Sequence, residues 1–189
     1  MENERKTERE KMTAGEPFFT NDPQLMEDKK HARILCAQFN NSPEDEAVRI
    51  SLLKTLFGQC GERIAVKPPF HCDYGYNIFL GEDFFMNFDC VFLDAAPIRI
   101  GAHCMIGPKT CIYAIGHSLD AESRREKIGI PKSVTIGDNV WIGGGVTILP
   151  GVTIGNNTVI AAASVVTKSF PDHVVIAGNP ARIIKRIEE

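Results

Sequence analysis

From about residue 70 onward the spacing of apolar residues changes from helical to six. Aliphatic residues stand at Ile100, Ile106 and Ile112, and again at Ile136, Ile142, Ile148, Ile154, Ile160 and Val166, each often followed by Gly, Ala or another small residue. The second run resumes 24 residues after the first, a multiple of six, so the register is kept. An earlier set, Leu80, Met86, Phe92 and Ile98, is two residues out of phase with the later one, which predicts a short insertion or bulge near Pro97. A sixfold repeat of this length predicts a parallel β-helix. Each short strand buries one residue inward and needs the coils above and below it to complete a core.

Two helices precede the repeat. Leu25, Ala32, Leu35, Cys36 and Phe39 fall mostly three and four residues apart, which predicts an amphipathic helix from Leu25 to Phe39, ended by Asn40 and Asn41. For the second helix the sequence offers Ser42 as N-cap, Pro43 in the first turn, Glu44 and Asp45 at the positive end, Ala47, Ile50, Leu53 and Phe57 on one face, and Gly58 as the stop. Both read as packing elements. The chain therefore divides into a helical segment, 1–60, and a solenoid, 61–189. One stretch, His117 to Ser133, is polar, charged and without the repeat; in a solenoid such an insertion projects from one face, often the binding face.

Composition narrows the function. At 189 residues with 43% hydrophobic and 24% charged residues, the chain is one globular domain with a small appendage. A net charge of -3 argues against a nucleic-acid partner, because phosphate neutralisation needs a face rich in Lys and Arg. The uncharged run from Asn139 to Thr167 is long enough to span a bilayer, but its regular Gly, Asn, Thr and Pro do not suit a lipid-facing helix, so no membrane span is expected. Residues 1–12 carry alternating charges and no apolar stretch, which predicts neither a secretory signal nor a mitochondrial presequence and points to the cytoplasm. Six cysteines, at 36, 60, 72, 90, 104 and 111, form no C-x-x-C pair; they read as buried thiols of a reducing compartment rather than zinc ligands.

The repeats Ile136-Gly-Asp-Asn-Val-Trp, Ile142-Gly-Gly-Gly-Val-Thr, Ile148-Leu-Pro-Gly-Val-Thr and Ile154-Gly-Asn-Asn-Thr-Val occur together with other motifs in a fixed order. These are Asp73-Tyr-Gly-Tyr-Asn-Ile, Asn87-Phe-Asp, Ala114-Ile-Gly-His117, Val165-Val-Thr-Lys168 and Gly178-Asn-Pro-Ala-Arg182. In that order, and with the charged N-terminal segment from about Glu10, the sequence resembles the maltose and galactoside O-acetyltransferases over essentially its whole length. The resemblance implies an all-β solenoid, a left-handed parallel β-helix with triangular coils. It further implies a homotrimer with sites between subunits that join acetyl-CoA, as co-substrate, to a sugar hydroxyl; no metal is expected, because no histidine or cysteine cluster stands at ligand spacing.

His117 matches the family's catalytic base. Acetyl transfer from a thioester to a hydroxyl requires removal of the hydroxyl proton, and histidine, with an ordinary pKa of about 6.5, suits that task at neutral pH. His31, His71, His103 and His173 read as structural. Asn87 matches a substrate-orienting asparagine, able to donate and accept toward a hydroxyl or an oxyanion. Asp73 and Asp94 match polar sugar contacts, with Asp22 the nearest candidate for an N-terminal acidic contact. Ala95 stands where the galactoside branch has a further acid, so that branch's sugar preference does not carry over. Gly144 and Ala162 match small residues that let the pantetheine arm approach the backbone. Thr167, Lys168, Arg182 and Lys185 match the nucleotide end, Lys185 replacing a second arginine and losing its bidentate fork. Trp141 leans on cofactor or acceptor, or packs in the core. Competing readings are a non-sugar acceptor such as serine or an antibiotic hydroxyl, a noncatalytic trimeric scaffold, and a zinc enzyme of the β-helix carbonic anhydrase type, for which His103 and His117 lack an obvious third ligand.

Overall fold

The computed structural model describes residues 6–188, so the first five residues of the charged leader lie outside the described residues. The chain begins with α1 (Glu8–Thr13), β1 (Phe18–Phe19), α2 (Pro23–Asn40) and α3 (Glu46–Leu56). Asp22 caps α2 by accepting from the Gln24 and Leu25 N–H groups, and Pro23 fills the first turn, where its missing N–H costs nothing. The buried residues of α2 are Leu25, Ala32, Leu35, Cys36 and Phe39, the face the spacing predicts. The start of α3 differs from the expectation. Its N-cap is Asp45, whose carboxylate accepts from Ala47 and Val48, while the Ser42 hydroxyl is spent on the Phe39 carbonyl at the end of α2. A carboxylate at the positive helix end outcompetes a hydroxyl three residues earlier. Ala47 consequently lies in an exposed first turn, and Leu53 and Leu56 form the buried face.

Three-sided coils follow. The first has β2 (Ile64–Val66) and β3 (Phe70–Cys72), the second β4 (Ile78–Leu80), β5 (Phe84–Met86) and β6 (Cys90–Leu93), the third β7 (Ile98–Ile100), β8 (Met105–Ile106) and β9 (Cys111–Tyr113). A hairpin interrupts here: β10 (Ile115–His117), a short α4 (Ala121–Arg125) and β11 (Ile128–Pro131). Coils resume with β12 (Val134–Ile136), β13 (Trp141–Ile142), β14 (Thr147–Ile148), β15 (Thr153–Ile154), β16 (Val159–Ile160) and β17 (Val165–Val166), and the chain ends in the hairpin of β18 (Val174–Gly178) and β19 (Ala181–Arg186). The result is a parallel β-solenoid of about six turns.

The first side stacks β4, β7, β12 and β15; the second β2, β5, β8, β13, β16 and β18; the third β3, β6, β9, β14 and β17. Inward residues form columns, such as Met86, Ile106, Ile142, Ile160 and Ile176 on the second side, all fully buried or nearly so. The phase slip seen in the sequence is a corner: eight residues separate Phe92 from Ile100, where the later repeat uses six. The same corner is enlarged one coil earlier, between Cys72 and Leu80, and one coil later, between Ile112 and Ile136, where the hairpin leaves. All extra residues thus leave the solenoid at the edge between its third and first sides. There the N-terminal segment packs, with Met12, Phe18 and Leu25 buried against Tyr74 and Ala95 and with Ile115 alongside.

Four cysteines are buried and two, Cys60 and Cys111, half-buried; none is in a disulfide, although the Cys36 and Cys72 sulfurs lie 3.7 Å apart. The uncharged run from Asn139 to Thr167 forms strands, and no helix among the described residues is long and apolar enough to cross a membrane.

Because a column is only as good as its least filled layer, Ile142→Ala should lower stability by about 2–5 kcal/mol, the range for truncating a buried Ile to Ala. Chemical denaturation at fixed protein concentration measures it, and a loss under 1 kcal/mol would show that the columns are loosely packed.

Candidate active site

The edge between the third and first sides carries His117. It ends β10, and its backbone pairs with Gly129 of β11. Its Nδ1 lies 3.1 Å from the Ile128 carbonyl oxygen. A carbonyl can only accept, so the neutral ring keeps its proton on Nδ1 and leaves the Nε2 lone pair free to take one. The ring borders an open groove of about 420 Å³ lined also by Ile130, Lys132, Leu149, Pro150 and Thr167. Of the predicted cofactor residues, Thr167 is the one brought directly to His117. Lys168 follows it on the same edge, its ammonium 5.7 Å from the centre of the Phe170 ring.

The two predicted acidic contacts of this edge behave differently. Asp73 is partly buried with Lys29 3.8 Å away, and burial pushes its carboxyl up against the pull of Lys29 and Arg33. Asp94 is wholly inside the enlarged corner, 0% exposed, where its Oδ1 accepts from the Asp73 and Tyr74 N–H groups at 3.0 and 2.9 Å. Its backbone carbonyl takes the Asn77 amide at 2.8 Å. In this structure Asp94 shapes the corner that presents Asp73 and is not itself open to a ligand, which differs from the direct contact expected for it. Among the described residues its Oδ2 and the Tyr74 hydroxyl are buried without a hydrogen-bond partner. Asp22 is likewise engaged locally, as the cap of α2.

Asn87 lies on the other edge of the third side, between β5 and β6. Its N–H donates to Ile106, one rung of a ladder in which Lys67 donates to Met86, Gly107 to Ile142, Gly143 to Ile160 and Ala161 to Ile176. Coils approach closely here: a Cβ on Gly107 would sit 2.5 Å from the Gly144 nitrogen, and one on Gly143 2.5 Å from the Ala162 nitrogen. Gly144 and Ala162 therefore belong to a shelf of nearly bare backbone beside Asn87. The Asn87 side-chain oxygen accepts from Phe88 N–H at 2.9 Å, so the amide N–H groups are what this half-buried side chain has left to offer. Arg182 pairs with Ala177 at the top of this edge, and Lys185 with Val175 on the second side. Arg182 donates to the Ala181 carbonyl at 2.8 Å. Trp141, on the outer face of the second side, is 55% exposed and stacked between Met105 and Val159, so it is not a core residue.

The predicted residues thus fall into two groups, His117, Asp73, Thr167 and Lys168 on one edge, and Asn87, Gly144, Ala162 and Arg182 on the other. A full side of extended chain separates the edges, on the order of 15–20 Å. The third edge is closed by its own polar ladder, in which Asp138 accepts from Ala102, Asn156 from Asp138 and Asp172 from Asn156; His103 pairs with Asp83 there at 3.1 Å and Asn157 with His173 at 3.2 Å. Among the described residues no group of three or more His, Cys, Asp or Glu side chains could hold a metal ion. Sequence reasoning missed Ile128, whose carbonyl orients His117; a backbone acceptor leaves no residue-type signal.

Two family descriptions match the chain, a maltose acetyltransferase hexapeptide capping motif over residues 11–61 and a bacterial transferase hexapeptide of six repeats over residues 133–168. A maltose O-acetyltransferase from Clostridium difficile is 49% identical and superposes with a TM-score of 0.95, covering 97% of this chain and 99% of the other. A hexapeptide-repeat acetyltransferase from Vibrio cholerae, solved with acetyl coenzyme A, is 42% identical with a TM-score of 0.91 over 97% of this chain and 100% of the other. The galactoside O-acetyltransferase of Escherichia coli is 39% identical over 95% of this chain and 89% of its own length.

The buried corner has a measurable signature. Burial raises the Asp94 carboxyl from 3.8 to about 6, so between those values the folded protein holds a proton that the unfolded chain has released. The contribution is therefore fully present below pH about 4 and lost as pH rises through 6, up to about 3 kcal/mol for the whole shift. In Asp94→Asn the side-chain oxygen can still accept from Asp73 and Tyr74, and that part of the pH dependence should vanish. Identical stability-versus-pH curves for the two proteins between pH 4 and 7 would contradict the assignment.

Proposed function

As the chain belongs to the hexapeptide-repeat maltose and galactoside O-acetyltransferases, we propose that it moves the acetyl group of acetyl-CoA to a hydroxyl of a sugar of the maltose, glucose or galactoside type, with His117 as general base. The observation that carries this reading is the His117 ring, anchored through Nδ1 with Nε2 left free beside an open groove. The acceptor oxygen attacks the thioester carbonyl carbon while Nε2 takes its proton. The tetrahedral oxyanion collapses, the carbon–sulfur bond breaks, and the imidazolium returns the proton to the departing thiolate. Amide donors stabilise the oxyanion, and the N–H groups of Asn87, whose oxygen is already taken by Phe88, are suited to it. Asp73 accepts hydroxyls of the sugar. Gly144 and Ala162 admit the pantetheine arm, Trp141 borders it, and Thr167, Lys168, Arg182 and Lys185 meet the nucleotide end.

The two-edge arrangement supports a homotrimer. A small acceptor cannot touch Asn87 and His117 of one chain, whereas a threefold assembly sets the Asn87 edge of one subunit against the His117 edge of the next. The outer face of the third side, between these edges, suits the axis: its column His71, Val91, Cys111, Thr147 and Val165 holds no Lys, Arg, Asp or Glu. The first side instead turns Arg99, Thr135 and Thr153 to solvent. Six cysteines outside any disulfide suit a reducing compartment, and we place the protein in the cytoplasm.

His117→Ala should lower kcat by about 10²- to 10⁴-fold and leave the KM for acetyl-CoA nearly unchanged, since a base acts only as the hydroxyl proton moves. Turnover is best followed as thiol release with maltose, glucose, galactosides, chloramphenicol and serine as acceptors. Near-normal turnover in the variant removes the base assignment, and acetylation of serine or chloramphenicol alone removes the sugar.

A further inference from the structure

Strand β1 takes no part in the chemistry above, yet it is the outer strand of the small sheet that carries His117. We propose that β1 is a positioning strap for the base: it holds the Ile128 carbonyl against His117 Nδ1, and Gly129 is the residue whose lack of a side chain lets it do so. The inference rests on the reading of His117 as general base.

The β10–β11 hairpin pairs His117 with Gly129 on one edge of β11, and β1 pairs Phe18 with Gly129 and Phe19 with Ile128 on the other. A two-stranded ribbon is marginal in water by itself. Its tip offers no support, since α4 buries no residue. Beside it, the Thr20 N–H and hydroxyl both donate to the Lys127 carbonyl, at 3.1 and 2.9 Å, next in the chain to the carbonyl that His117 uses. Phe18, 1% exposed, ties the strap to Tyr74 and Ala95 at the enlarged corners. The Glu8 carboxylate accepts from the Phe19 N–H at 2.6 Å and fastens the strap to α1. Space at the crossing is fully used: a Cβ on Gly129 would stand 2.9 Å from both Phe18 Cε1 and Thr20 Cγ2. A side chain there must displace the buried Phe18 ring and the Thr20 methyl, the two side chains with which the strap covers β11. With β11 released, the Ile128 carbonyl no longer selects the Nδ1–H form, and a ring protonated on Nε2 cannot accept the substrate proton.

The test compares the full-length protein with Gly129→Ala, Glu8→Ala and Glu8→Gln, reading kcat, the KM for acetyl-CoA and the imidazole ¹⁵N shifts of His117. Gly129→Ala should lower kcat about tenfold and Glu8→Ala about threefold, the size of one lost or loosened hydrogen bond, with KM unchanged. Glu8→Gln should restore kcat, because its amide oxygen still accepts from Phe19. The His117 shifts should move from the Nδ1–H pattern toward a mixture of forms in the first two variants. An unchanged Nδ1–H pattern in Gly129→Ala and Glu8→Ala overturns the proposal, whatever kcat does; should Gly129→Ala fail to fold, the Glu8 pair decides. Failure of the base reading is separate and shows as normal turnover in His117→Ala, while the ¹⁵N shifts still judge the strap.

Discussion

Each coil of the solenoid is hydrogen-bonded along its sides to the coils above and below, and that leaves the chain nowhere to place an extra residue except at a corner. A residue inserted within a side would turn every following inward position outward, as a one-residue slip does in any sheet. The chain uses one edge for all its departures: two residues after Cys72, two after Phe92, and the whole hairpin after Ile112. Because these departures lie on successive coils, they touch one another. Asp94 of one enlarged corner caps the backbone of the corner below, and Ile115 of the hairpin joins the cluster around Tyr74 and Ala95. The candidate base therefore stands on a stack of irregular corners rather than on a free loop.

How much of this was legible follows from which signals are periodic. Ile136 to Val166 disclosed the coils because each inward position repeats, and the slip at Pro97 disclosed one enlarged corner because it broke the repeat. The matching corner at Asp73 stayed hidden, since no regular coil precedes it to set a phase. His117 stood out through its position before a nonrepeating stretch. What could not be read was the environment of Asp94, expected as a sugar contact but lying inside the corner, and the cap of α3, where Ser42 and Asp45 competed and the carboxylate prevailed while the hydroxyl went to the end of α2. Backbone partners such as the Ile128 carbonyl carry no residue code at all.

The two edges of the third side divide the labour. One is irregular and polar and bears the groups that can exchange protons; the other is a ladder that turns to Gly and Ala in its upper coils, where Gly107 and Gly143 let neighbouring coils approach closely. The first is free to place individual groups, the second leaves room where side chains are small. A regular solenoid supplies the second without further invention, and an interrupted one supplies the first, so a single fold provides both surfaces at a fixed separation.

The helices at the base have a consequence for the number of coils. Phe39, Leu53, Leu56 and Phe57 cover the apolar interior of the first coil around Ile64 and Phe70. Without that cover the lowest strands would present an open ladder and an apolar end, a template for another molecule's terminal coil. End-to-end growth of such units would give filaments of unlimited length, since nothing in a repeat this regular sets its own stopping point. In this chain α2 and α3 set it at one end, which makes the solenoid a finite particle rather than a fibre.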